Sequence, residues 1–141
     1  MASLKDKLVE GTSALKVARK PDAVIKQLVA RVFSTRNSIH FAHWATKSYA
    51  EHEALGYLYT AIVNKVDDII EVYQGKYGLL SGVSCPASAA PKDICAHVKA
   101  EADWLGKNRL SISNGNDAIA ALLDELEASY LKVIYKLENL K

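Results

Sequence analysis

Apolar residues along this chain recur at three- and four-residue steps, and no stretch shows the clean period of two that a half-buried strand requires. Val24, Ile25, Leu28, Val29, Val32, Phe33, Ile39 and Trp44 trace one stripe after Pro21-Asp22, which predicts a first long helix over about 22–46. Ser48-Tyr49-Ala50-Glu51 then fits a capping box, with Ser48 as N-cap and Glu51 three residues on. A second helix is expected over 49–74, with Leu55, Tyr59, Ile62, Val66, Ile69, Ile70 and Tyr73 on one side and Gly75 in the left-handed position just past its end. The corner between these helices is tight, so they should pack as an antiparallel pair.

Residues 75–90, GKYGLLSGVSCPASAA, are rich in Gly, Ser and Ala and form the one long connection. Pro91 suits the first turn of a third helix over 91–111, which carries Ile94, Val98, Ala102, Trp104 and Leu105. Asn114-Gly115-Asn116-Asp117 is a break followed by a cap. A fourth helix over 117–139 presents Ile119, Leu122, Leu123, Leu126, Tyr130, Ile134 and Leu137. Within residues 1–20, Leu4, Leu8 and Leu15 suggest a short leader helix. Four long helices with one long crossover between the second and third give an all-α, ferritin-like four-helix bundle. A chain of 141 residues makes a single domain of it.

Composition narrows the function classes. No apolar run is long enough to span a membrane. Charges interrupt every apolar stretch of MASLKDKLVEG, so no signal peptide is expected and the protein should be cytoplasmic. A net charge of +2 is too mild to mark a nucleic-acid binder. The basic residues of the leader, Lys5, Lys7, Lys16, Arg19 and Lys20, read best as a solvated helix face. Cys85 and Cys95 match no zinc or redox pattern and read as reduced thiols, structural or incidental, with a disulfide as the alternative if they face each other.

The candidate chemistry lies at the first corner. His40 and His43 are one turn apart near the end of the first helix, and His52 opens the second, so an antiparallel pair holds His43 and His52 together. Farther along the second helix, Asp67 and Glu71 share a face at i,i+4. They lie ~22 Å from His52 at 1.5 Å per residue, too far to share an ion within one chain. A two-fold dimer with antiparallel second helices, its dyad near Tyr59-Thr60, would bring His52 of one copy to Asp67 and Glu71 of the other. Imidazole and carboxylate together suit iron, manganese or zinc. Against this stand ordinary packing roles for histidines at helix ends and a solvated acidic face. Trp44, Tyr57, Tyr59 and Tyr73 are core or interface fillers by default.

The segment His43-Trp44, His52-Glu53, Asp67-Asp68 and Glu71 resembles the signature of the Dps mini-ferritins. The resemblance implies a ferroxidase site between two-fold-related subunits, with His43, His52, Asp67 and Glu71 as ligands, Trp44 beside the site and His40 supporting it. It also implies a dodecameric cage that oxidises and stores iron and in some members binds DNA. TKSYAEHEALGYLY, VDDIIEVYQGKYG and YKLENLK are similar to short ferritin-like proteins of tailed phages, and this likeness covers more of the chain. Two departures bear on the chemistry: the His43–His52 corner is shorter than in Dps proteins, and Gly56 stands where that family has an acidic ligand. Gly56 is expected to serve a close helix approach at the dyad, with Tyr59 and Thr60. His97 and Glu101 run in the reverse order to the Glu-x-x-His pairs of other di-iron bundles, which disfavours a site inside one subunit. The other reading is a non-enzymatic helical oligomer that keeps this frame to bind a host protein or nucleotide. DNA compaction fits least, because the apolar leader positions suggest packing.

Overall fold

Residues 21–141 are described by the structure, a computed structural model; the expected leader helix lies outside the described residues. Four helices are present among them, with no strand: α1 (Asp22–Ala45), α2 (Tyr49–Tyr77), α3 (Ile94–Ser113) and α4 (Asp117–Asn139). Three start at a side-chain cap. Ser48 Oγ accepts from Glu51 N at 3.2 Å, Asp93 Oδ1 from Ala96 N at 3.0 Å and Asn116 Oδ1 from Ile119 N at 2.9 Å. Each cap satisfies one of the backbone donors that a helix start leaves unpaired. The reciprocal half of the expected capping box is replaced, because Thr46 Oγ1 takes the Ser48 N–H at 3.1 Å.

Two helix boundaries differ from the sequence expectation. α2 continues through Gly75 to Tyr77, and Gly78, at φ 92, takes the terminal position that only glycine adopts readily. α3 begins at Ile94 rather than 91, since Asp93 supplies the cap that Pro91 cannot. Its end at Ser113 is followed by Asn114 in the left-handed region, φ 50. Asn116→Ala removes the α4 cap and is expected to cost about 1 kcal/mol of unfolding free energy, read by urea denaturation.

α1 packs on α2 and α3, and α4 packs on the same two helices. Side-chain pairs give the directions. The Tyr73 hydroxyl donates to Asp22, joining the end of α2 to the start of α1. Lys99 pairs with Glu138, and Arg109 Nε with Asp124 at 2.6 Å, so α3 and α4 are antiparallel. Asn114 Nδ2 donates to the Tyr77 hydroxyl at 3.1 Å, which places the ends of α2 and α3 together and makes them parallel. The intervening segment 78–93 therefore returns along α1, where Ser88 Oγ donates to the Ser34 carbonyl at 3.0 Å.

The core runs the length of the four helices and includes Ile25, Ile39, Leu58, Ile62, Ile69, Leu105, Leu126 and Tyr130. Phe33 and Trp44, expected in the first stripe, stand outside it at 39% and 67% exposure. Phe33 flanks a groove between α1, α2 and the crossover, and Trp44 lies in the last turn of α1 against His40. One ion pair is drawn into the bundle: Arg31 grips Glu101 through Nε and Nη2, both at 3.0 Å, with its guanidinium 4.7 Å from the Trp104 ring. Burial, with the Glu101 charge adding to it, raises the pKa of the Tyr130 hydroxyl and keeps it protonated. No helix among the described residues is long and apolar enough to cross a membrane.

Candidate metal centre at the first corner

A three-residue link, 46–48, sets the last turn of α1 against the first turns of α2. His43 and His52 face each other across it with ring centroids 3.7 Å apart and planes 19° from parallel. Each ring bonds to the other residue's main chain: His43 Nδ1 to the His52 carbonyl at 2.7 Å, and His52 Nδ1 to the His43 carbonyl at 2.9 Å. The His43 carbonyl belongs to the last turn of α1, where helix carbonyls have no partner within the helix. His52 thus acts as a C-cap supplied by the next helix.

This exchange sets the tautomers. A carbonyl can only accept, so both Nδ1 atoms carry hydrogen, and each neutral ring keeps its lone pair on Nε2. Metal-binding histidines are commonly oriented this way, with the non-ligating nitrogen donating to a carbonyl or carboxylate.

Other rings from both helices flank the pair. Tyr59 stands edge-on to His43 at 5.3 Å and stacks on His40 at 4.1 Å, and His40 in turn touches Trp44 at 4.3 Å. The Arg36 guanidinium lies 5.5 Å from the Tyr59 ring. His40 is placed to pack against its neighbours' rings. Burial, then the positive Arg36 and the nearby His43, lower its pKa, so its protonation opposes folding. The stability linked to His40 is present above the usual histidine range and is lost as pH falls below it.

The carboxylates lie elsewhere. Asp67, Asp68 and Glu71 place oxygens within 4.8 Å of one another on the exposed side of α2. The structure brings His43 to His52 and Asp67 to Glu71, but does not bring the two pairs together within one chain. Thr60 is exposed between them and Tyr59 half-buried. A groove of about 490 Å³, lined by Val29, Phe33, Val63, Asp67, Ile70 and Val83 among others, runs beside this stretch. Within one chain, Gly56 lies under the His43 imidazole.

The remaining candidates resolve simply. Glu101 is held by Arg31, and His97 Nε2 lies 3.4 Å from Thr35 Oγ1, so that part of α3 forms structural polar contacts. Cys85 is exposed and Cys95 half-buried, both as free thiols, and burial raises the Cys95 pKa. Sequence reasoning missed the Arg31–Glu101 grip and the part played by Tyr59. Gly56, an interior helix glycine one turn after His52, was the available sign that a ring needs room there.

A profile described as a family of unknown function (DUF5856) matches residues 43–137, from His43 through most of α4. No curated protein and no solved structure matches the chain at a significant level.

Proposed function

The chain belongs to this family of unknown function, and we propose that it is a ferritin-like protein in the manner of the Dps mini-ferritins. In this reading it binds Fe(II) between two-fold-related copies, oxidises it and sequesters the product, with Mn(II) or Zn(II) as substitutes of the same ligand class. The observation that carries the proposal is the reciprocal lock of His43 and His52, which leaves both Nε2 lone pairs uncommitted. The helix order adds support, since one long crossover joining parallel α2 and α3 is a ferritin-like connection.

The ligand set is completed by symmetry. Between His52 and Asp67, α2 carries Tyr59, Thr60 and Val63, none of them fully buried, and a second α2 would lie against this stretch. An antiparallel partner opposes the imidazole end of one copy to the Asp67–Glu71 end of the other, and an isologous contact forms both sites at once. His43 and His52 would supply neutral nitrogen donors. Asp67 and Glu71 of the second copy would supply anionic oxygens, whose charge favours iron in its oxidised state once peroxide or dioxygen has taken the electron.

Native mass spectrometry with metal analysis, followed by iron oxidation monitored by absorbance, tests this directly. A symmetric oligomer, up to a dodecameric cage, should oxidise Fe(II) faster than buffer does. His52→Ala and Glu71→Ala should each lose metal affinity by more than the roughly 10–100-fold typical of losing a supporting hydrogen bond. A monomer that leaves iron oxidation at the buffer rate would refute the proposal.

A second reading has its own support. Trp44, Tyr49 and Tyr57 are exposed at 67%, 78% and 42% around the same corner, the residue types that anchor protein interfaces. A helical binding protein with a degenerate metal site would use them, and it would keep its oligomeric state and its fold unchanged on chelation.

A further inference from the structure

Gly56 is the half-buried residue of α2 on which the His43 ring rests. A Cβ built at this position would stand 3.0 Å from His43 Cε1, 3.4 Å from Nδ1 and 4.0 Å from Nε2. The first of these is tighter than nearly all such carbon contacts, so a side chain here requires the ring to give way by a few tenths of an ångström. The ring is already held on its other sides: Nδ1 sits 2.7 Å from the His52 carbonyl, the plane stacks on His52 and Tyr59 stands edge-on to it. Gly75 in the same helix has nothing within 4 Å of such a Cβ, so glycine is demanded by contact at 56 and not at 75. An interior glycine weakens a helix relative to alanine, and the contact gives Gly56 its reason.

We infer that Gly56 is a positioning residue: its missing side chain is the space in which His43 locks against His52. The space that a carboxylate at 56 would fill is taken by the His43 ring. The positioning concerns the metal-free protein; its consequence for metal affinity rests on the proposed metal binding.

Imidazole ¹⁵N NMR of the metal-free protein reads the positioning directly. Wild type should show both His43 and His52 as the Nδ1–H tautomer, and Gly56→Ala should shift His43 toward a tautomer mixture. Denaturation of Gly56→Ala in two backgrounds adds a second measure. Alanine should lower the unfolding midpoint when His43 is present and raise it in His43→Ala, where the ring is gone and only helix propensity remains. Unchanged tautomers, or an effect of the same sign in both backgrounds, would overturn the positioning role. Co(II) titration followed by its visible absorption links the positioning to the proposed site: an affinity roughly 10–100-fold weaker in Gly56→Ala than in wild type is expected. Equal affinity in both proteins would overturn that link, whereas wild type that binds no Co(II) would reject the metal-binding reading and leave the tautomer and denaturation results to decide the role of Gly56.

Discussion

Leu58→Ala is expected to lower the unfolding free energy by about 3–4 kcal/mol, in the range for emptying a closed apolar site. Leu58 is fully buried near the middle of α2, the helix that packs on both α1 and α4. Truncation there loses transfer free energy and leaves a cavity that long helices on both sides cannot easily collapse to fill. Urea denaturation should show a lower midpoint with the slope unchanged, because the surface exposed on unfolding stays nearly the same. Leu110→Ala provides the control: that side chain is 75% exposed, and its removal should change stability by no more than about 0.5 kcal/mol. Equal losses at the two positions would contradict the burial described for α2.

Arg31→Met should be nearly as damaging, at about 3 kcal/mol. Glu101 is nine-tenths buried, and Arg31 donates a charge-assisted bond to each of its carboxylate oxygens. Removing the guanidinium strands a carboxylate beside Trp104 and Tyr130, where water solvates it poorly. The methionine replaces much of the lost apolar stem, so the cost reports mainly on the charge. Combining Arg31→Met with Glu101→Leu should recover at least half of the loss, because an apolar pair of similar volume avoids the desolvation penalty. If the double variant were less stable than Arg31→Met alone, the pair would not be the source of the cost.

Much of the bundle was legible because helix periodicity and caps are local properties. Asn114-Gly115-Asn116-Asp117 marks the α3–α4 turn with residues whose backbone preferences and side-chain oxygens act within a few positions. The errors at 75 and 91 arose between local alternatives: Gly75 and Gly78 both permit a helix end, and Pro91 competes with Asp93 for the helix start. Local chemistry cannot rank such choices when the packing of Tyr77 and Ile94 contributes to the outcome. Phe33 and Trp44 fit the apolar stripe by spacing, yet which edge of that stripe is covered depends on where α2 and α3 lie.

By itself, then, the sequence determined four helices, the corner that joins His43 to His52, the i,i+4 pairing of Asp67 with Glu71, and the distance separating the two groups. All of these follow from the rise and turn of a single helix or from one short link. The tertiary structure decided what the chain alone leaves open: that each imidazole bonds the other residue's carbonyl, that Gly56 makes room for His43, and that Arg31 crosses to Glu101. Each depends on side-chain directions from two helices meeting within a few tenths of an ångström, which no spacing along one chain specifies.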